Sequence, residues 1–369
     1  MKPQSSSPSE LRWNDYVLAH DGDGSIEQLW QAAGAKRRAV YVMAEGFDPR
    51  TITGLRRFLA SGTFENVLII AIALPPTKHE LALKLAGENI AERTALIAKH
   101  NAQLVTIPYP QVSEPRAAGQ RIAHSVIQAG HFKDAHHIVL DVSAMPTSIH
   151  FALAGGILAH CEKAAKSQEI QIVVCDNPAM DAAITNLGTA AADAINGFTN
   201  GLDLEAGSKQ VRIWAPVLGP SEAVALRAIR DRLEAREICP VLPFPAADPR
   251  RGDDLALGYR QLLFEEMRVN PGDIIYADER NPFDLYRTLS RLNAKFTQTL
   301  KPLGEVKVIL SAHSSKLLSL GVLLAAYEHH LPVVSAPPTG WSLSPDFDRE
   351  QLSKHDQLVC LWIDGSPYR

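Results

Sequence analysis

Short apolar runs rich in β-branched residues alternate with longer segments whose apolar positions recur at helical spacing. In the first half the strand-like runs are AVYVMA (39–44), NVLIIAIAL (66–74), AQLVTIPYP (102–110), HHIVLDV (136–142) and IQIVVCD (170–176). Helical segments fall between them at 46–62, 79–100 and 115–130, and again after the turn SAMPTS (143–148), each set off by Gly, Pro or small polar residues. Runs of four to eight β-branched residues between such breaks read as strands, and a period of 3.6 reads as helix.

The same order then returns. QVRIWAP (210–216), CPVLPFP (239–245), GDIIYAD (272–278), VKVILSA (306–312) and LPVVSA (331–336) are five further strands, with helical segments after the first four. Pro49 and Pro220, Val105 and Ile275, and Ile138 and Val308 are related by one offset of about 170 positions, as an internal repeat requires. The alternation predicts an α/β fold with a mostly parallel sheet. The offset predicts two tandem Rossmann-like domains related by internal duplication. The expected layout is a tail and short preface of helix and loop over 1–38, domain 1 over 39–190, a linker over 191–209, and domain 2 over 210–369. The Gly-, Ala- and Asn-rich stretch from Asn186 to Lys209 admits a helical first part.

Composition narrows the function classes. At 369 residues the chain suits two domains. Net charge is -4 and the pI about 6.4, so no general attraction to nucleic acid or acidic membranes is expected. The basic clusters Lys36-Arg37-Arg38 and Arg250-Arg251 are short enough to be solvated surface. Cys161, Cys175, Cys239 and Cys360 form no C-x-x-C pair, which argues against a zinc ribbon or disulfide scaffold and fits a reducing cytoplasm. MKPQSSSPSE at the N-terminus lacks the apolar core of a signal peptide and reads as a loose tail. The longest apolar run, Leu317 to Tyr327, falls short of the ~20 residues that span a bilayer. A cytoplasmic location without a membrane segment is expected. DGDGS (21–25) begins like a calcium loop, but Ala32 stands where the bidentate Glu belongs, so it reads as a turn.

In a parallel sheet, ligands bind beyond the carboxyl ends of the strands, where helix N-termini present unpaired N–H groups. The candidate residues are therefore those of the strand-to-helix turns. In the first half they include the loop EGFDPRT (45–51) with Asp48 and Arg50, then Asp141, Ser143, Met145, Thr147 and Ser148, and Asp176. In the second half they include Ser221 and Glu222, Arg250 and Arg251, Asp278, Glu279 and Arg280, and Ser311, His313, Ser314, Ser315 and Lys316. The second set is richer in cations and hydroxyls and is the better place for an anion. Asp48, Ser221 and Ser314 also fit plain helix N-caps. Arg50 and Lys316 stand in first helical turns, where a cation opposes the helix dipole unless an anion is near. His313 suits a general base, a stacking group, or an ordinary turn residue. There is no G-x-G-x-x-G after the first strand, no P-loop and no G-x-S-x-G elbow. The pairs His136-His137 and His329-His330 lack HExxH spacing. No cofactor and no metal is called for.

The fourth-strand turns, LDVSAMPTSIHFALAGGIL and LSAHSSKLLSLGVLLAAYE, resemble those of the CARF and SAVED sensor modules of prokaryotic antiviral systems. That resemblance implies a turn cradling a cyclic oligonucleotide across a pseudo-twofold axis. The implied contacts are Ser143, Met145, Thr147 and Ser148 with Ser311, His313, Ser314, Ser315 and Lys316, joined as anion-binding candidates by Arg50, Arg250, Arg251 and Arg280. No effector domain is recognisable, so the implied partners are a nucleotide-type ligand and a separate effector protein or complex subunit, with homo-oligomerisation left open. Two other functions stay open on the residues. One is a transferase or hydrolase acting on a nucleotide or sugar-nucleotide through Asp141, Asp176, Asp278 and Glu279. The other is a structural subunit of a larger complex.

Overall fold

The computed structural model describes residues 11–22, 24–75, 78–111, 116–164, 167–205 and 208–369, so the tail expected over residues 1–10 lies outside it. The first unit comprises β1 (Val17–His20), α1 (Ser25–Ala32), β2 (Arg38–Glu45), α2 (Arg50–Ala60), β3 (Glu65–Ala73), α3 (Glu80–His100), β4 (Gln103–Ile107), α4 (Arg116–Gln128), β5 (His137–Asp141), α5 (Thr147–Glu162), β6 (Glu169–Asp176) and α6 (Pro178–Ala183). Two short strands follow, β7 (Ile184–Leu187) and β8 (Asp193–Ala194). The second unit comprises β9 (Val211–Val217), α7 (Ala223–Leu233), β10 (Glu237–Ile238), β11 (Val241–Pro243), α8 (Arg251–Gly258), β12 (Ile275–Ala277), α9 (Pro282–Leu300), β13 (Val306–Ala312), α10 (Lys316–Glu328) and β14 (Val334–Ser335). The chain closes with β15 (Gly340–Leu343), α11 (Arg349–Ser353) and β16 (Gln357–Asp364).

The protein is a mixed α/β fold of Rossmann-like units. Strands β4-β3-β2-β5-β6 are parallel neighbours in the first sheet, and β12-β11-β9-β13 are parallel neighbours in the second. A parallel bridge between Leu310 and Val333 sets β14 beside β13. Both sheets thus run third, second, first, fourth, fifth in order of sequence. Every residue of β5 and β9 is buried, as expected of parallel strands covered on both faces.

The units exchange edges. Strand β16, from beyond the second unit, lies antiparallel on β6, and β1 pairs antiparallel with β16. Strand β8, from beyond the first unit, lies antiparallel on β14. Between these caps β7 and β15 pair with each other, Ile184 opposite Leu343 and Leu187 opposite Gly340. Each fifth strand is therefore covered by chain leaving the other unit, which removes an open edge that invites aggregation.

The core is continuous across the seam. One hydrophobic cluster joins Phe151 and Leu153 of α5 to Leu320 and Leu323 of α10 and to strands of both sheets. These two helices carry apolar residues nearly all round because they are buried between the units. Their C-terminal ends are clamped by the preface. The Arg12 guanidinium binds Glu162 and Asp364, its backbone N–H donates to Glu328 at 3.1 Å, and Trp13 Nε1 donates to the Ile363 carbonyl at 2.8 Å.

Several elements differ from the pattern reading. Of CPVLPFP only Val241–Pro243 is strand, as β11, and β10 precedes the run, the two separated at Cys239-Pro240 because proline offers no N–H to a ladder. LPVVSA shortens to two strand residues. The linker forms extended pieces, with no helix between Asn186 and Glu205 among the described residues. Ser315, rather than Ser314, caps α10 by accepting the Leu318 N–H at 3.2 Å. Ser221 sits in the left-handed region at φ 65 and gives α7 no side-chain cap. Strand β16, QLVCLWID, was not part of the predicted series.

Close helix contact makes one glycine sensitive. A Cβ on Gly321 would lie 2.5 Å from the Pro282 carbonyl oxygen and 2.9 Å from Leu285 Cβ, whereas one on Gly87 of α3 would meet nothing within 4 Å. Urea denaturation should find Gly321→Ala destabilised by about 2 kcal/mol, through forced separation of α9 and α10. Gly87→Ala should be stabilised by about 0.5–1 kcal/mol, from helix propensity alone.

Candidate functional site

The first fourth-strand turn is built on a buried carboxyl. Asp141, 2% exposed, accepts from the Tyr41 hydroxyl at 2.6 Å, the Ser143 N–H at 3.0 Å and the Ser143 hydroxyl at 2.5 Å. Ser143 Oγ in turn accepts the Cys175 N–H at 2.8 Å. Asp141 and Ser143 therefore brace β5 against β2 and β6. Burial pushes the Asp141 carboxyl up to about 6, against the pull of these hydrogen bonds. The Met145 side chain is in the core. Thr147 and Ser148 are partly exposed at the start of α5, and their hydroxyls have no hydrogen-bond partner among the described residues.

The second turn is braced differently. Ser311 is buried, accepting from Trp214 Nε1 at 2.9 Å and meeting His313 Nε2 at 3.0 Å. His313 Nδ1 lies 3.6 Å from Glu222, whose other oxygen accepts from Asn186 of β7 at 2.9 Å. Strand β7 of the first unit thus reaches the mouth of the second. Ser314 is partly exposed, and its hydroxyl, like those of Thr147 and Ser148, is unpartnered among the described residues.

The two turns meet. Lys316 Nζ donates to the Met145 carbonyl, crossing from the second unit to the first. One turn further in, His150 Nε2 and Ser319 Oγ are 3.2 Å apart. His150 is the fourth residue of α5 and Ser319 the fourth of α10, so equivalent positions touch and the helix N-termini lie side by side. Burial and the Lys316 charge hold His150 well below its ordinary pKa, so its ring is neutral.

The cations along this seam all have internal partners. Arg50 is 4% exposed and pairs with Asp48 at 2.8 Å and Asp181 at 2.6 Å. The loop EGFDPRT is held for this purpose. Asn89 Nδ2 donates to the carbonyls of Gly46 and Asp48 at 2.9 and 3.2 Å, and Arg93 pairs with Glu45. Arg251 pairs with Glu279 at 2.5 Å. Beside them lies a cleft of about 430 Å³ between the units, lined by Asp176, Glu279, Arg280, Lys354 and Asp356 among others. Burial pushes the Asp176 carboxyl up to about 6, with repulsion from Asp181 and Glu279 adding to the effect.

Of the predicted residues, the seam brings together Met145, Thr147, Ser148, Ser314, Ser315 and Lys316, whereas Arg50 is buried in an ion-pair cluster with Asp48 and Asp181. Arg251 and Arg280 belong to the adjoining cleft, and Arg250 is an exposed residue at the start of α8. Ser143 and Ser311 serve as internal braces. Among the acids, Asp176 and Glu279 share the cleft, whereas Asp141 is enclosed by its three donors and Asp278 accepts the Arg280 N–H at 2.9 Å. His150, Asp181, Asn186 and Ser319 were not singled out in sequence. For His150 and Ser319 a signal existed, a lone polar residue at the same place in each of two apolar helices. Among the described residues no group of three or more His, Cys, Asp or Glu is disposed to hold a metal ion, and no helix is long and apolar enough to cross a membrane.

No family model and no curated protein matches the sequence. Among solved structures the chain is similar to a type III CRISPR defence DNA nuclease activated by cyclic oligoadenylate. The identity is 10%, covering 85% of this chain and 69% of that one, with a TM-score of 0.46. It is also similar to the cytoplasmic domain of a prokaryotic cation chloride cotransporter (9% identity, 82% and 96% covered, TM-score 0.25). A third is a deacetylase of teicoplanin biosynthesis (11% identity, 42% and 79% covered, TM-score 0.25). Likenesses this distant carry no functional argument.

Proposed function

We propose that this protein is a nucleotide sensor of a prokaryotic defence-type system. It binds an anionic nucleotide along the seam between its two units and signals through a separate effector. One observation carries the reading. The N-termini of α5 and α10, from units with the same strand order, lie side by side through the His150–Ser319 contact. Two helix N-termini in one place offer converging N–H groups and partial positive charge, which suits phosphate. The hydroxyls of Thr147, Ser148 and Ser314, unpartnered among the described residues, and the amine of Lys316 supply further donors. Internal duplication of one ligand-binding unit explains why both halves meet here.

Calorimetric titration with cyclic and linear oligonucleotides tests the proposal, and cyclic oligoadenylates are the first probes. Binding is expected, and Lys316→Ala should weaken it about tenfold, the worth of one charge-assisted hydrogen bond. Absence of heat and of thermal shift with every nucleotide tried would overturn the reading.

A further inference from the structure

The cleft of about 430 Å³ between the units shares no residue with the turns of the seam. Asp176 ends β6 of the first unit, while Glu279 and Arg280 follow β12 of the second. Lys354 and Asp356 enter between α11 and β16. Ligands of parallel sheets bind beyond such strand ends, and the volume is that of an ordinary small-molecule site.

The three carboxyls of the cleft are not equally free. Both oxygens of Asp356 are taken, by Asn177 Nδ2 at 2.7 Å and the Thr53 hydroxyl at 2.8 Å. Both of Glu279 are taken, by Arg251 at 2.5 Å and the Ala247 N–H at 3.1 Å. The Asp176 carboxyl has no hydrogen-bond donor among the described residues, although it is largely enclosed. Burial, with repulsion from Asp181 and Glu279, pushes it up to about 6, as expected of a carboxyl left without a donor. The cations of the wall are equally uncommitted. Arg280 and Lys354 are exposed and have no carboxylate partner among the described residues. Their side chains reach only the amides of Gln357, at 3.5 Å, and Gln351, at 2.8 Å.

This distribution selects a ligand. A simple cation that satisfied Asp176 would meet Arg280 and Lys354, and a simple anion that satisfied those would meet three carboxyls. A molecule with hydroxyl donors at one end and an anionic group at the other satisfies both sets. The rest of the wall includes Pro178, Ala179 and Ala247, too small to build the apolar pocket that a hydrophobic body needs. We propose that the cleft is a second binding site, for a phosphorylated sugar whose hydroxyls donate to Asp176 and whose phosphate is held by Arg280 and Lys354. The site stands independently of the seam. Because its wall is drawn from both units, its ligand ties them together.

The test is calorimetric titration with ribose 5-phosphate, compared with ribose, with inorganic phosphate and with alanine, a small zwitterion. The wild-type protein should bind ribose 5-phosphate at least about tenfold more tightly than any of the other three. Asp176→Ala and Arg280→Ala should each weaken that binding about tenfold, the worth of one charge-assisted hydrogen bond. Neither side chain supports a buried group, so neither substitution should lower the melting temperature. Lys316→Ala should leave ribose 5-phosphate binding unchanged while weakening nucleotide binding at the seam. No binding of ribose 5-phosphate, or equal binding by wild type, Asp176→Ala and Arg280→Ala, overturns the inference. Loss of binding in Lys316→Ala alone would place the sugar phosphate at the seam, which overturns the cleft and leaves the nucleotide reading standing. Tighter binding of alanine than of ribose 5-phosphate would overturn the ligand class.

Discussion

Asp141→Ala is expected to lower the unfolding free energy by about 4 kcal/mol near pH 5, and Asp141→Asn to remove about 3 kcal/mol of pH dependence. The alanine strands three buried donors, the Tyr41 hydroxyl and the Ser143 N–H and hydroxyl, and each such orphan costs roughly 1–3 kcal/mol. The asparagine keeps the shape and never ionises. In the unfolded chain the carboxyl titrates at its ordinary 3.8, while burial raises it to about 6 in the fold. Between those values the folded state holds a proton that the unfolded state has lost. The stability from this group is complete below pH 3.8 and is lost as pH rises through about 6. Asp176 acts with the same sign, and Glu27, held low by Arg57, acts with the opposite one. The useful measurement is therefore the difference between wild type and Asp141→Asn in urea titrations at pH 4.5 and 8, an interval that crosses about 2 of the 3 kcal/mol. An equal change in both proteins would show that Asp141 is not the group responsible.

Gly219→Ala should damage both stability and ligand binding. Its Cβ would lie 2.1 Å from the His313 carbonyl oxygen and 2.7 Å from Ser314 Cα, and backbone cannot step aside as a flexible side chain can. Gly219 is further fixed by the Tyr259 hydroxyl, which donates to its carbonyl at 2.5 Å. The β13–α10 turn must then shift, carrying Ser314, Ser315 and Lys316 out of line with the start of α5. A loss of about 3 kcal/mol is expected, near the upper end for overpacking, together with loss of nucleotide binding at temperatures where the variant is still folded. Thermal melts followed by calorimetry on the folded fraction separate the two effects. Binding at wild-type affinity would mean that the second turn does not touch the ligand.

Much of the candidate site was legible before the fold was known, and unevenly so. Thr147, Ser148, Ser314, Ser315 and Lys316 follow from the strand-to-helix handover, which local composition announces. Arg50 and Lys316 stand out in the sequence because a cation in a first helical turn opposes the helix dipole unless an anion is near. Ser143 and Ser311 looked like ligand contacts by their place in the turns, yet face inward to Cys175 and Trp214. A serine at such a turn satisfies either role, and nothing local separates them. Asp181 and Asn186 carry no local sign at all. Their importance comes from partners 131 and 36 positions away, Arg50 and Glu222.

Taken alone, the sequence determined the alternation of strands and helices, the order of two similar units and the positions of their turns. These are properties of neighbouring residues: side-chain period, β-branching, and the backbone habits of Gly and Pro. Only the tertiary structure decided that β16 and β8 cross to cap the opposite unit, that Lys316 reaches the Met145 carbonyl, and that Arg50 is neutralised by Asp48 and Asp181. Such pairings depend on which surfaces pack once the apolar faces of α5 and α10 are buried against each other. That choice is made by the whole core, between residues that share no sequence neighbourhood.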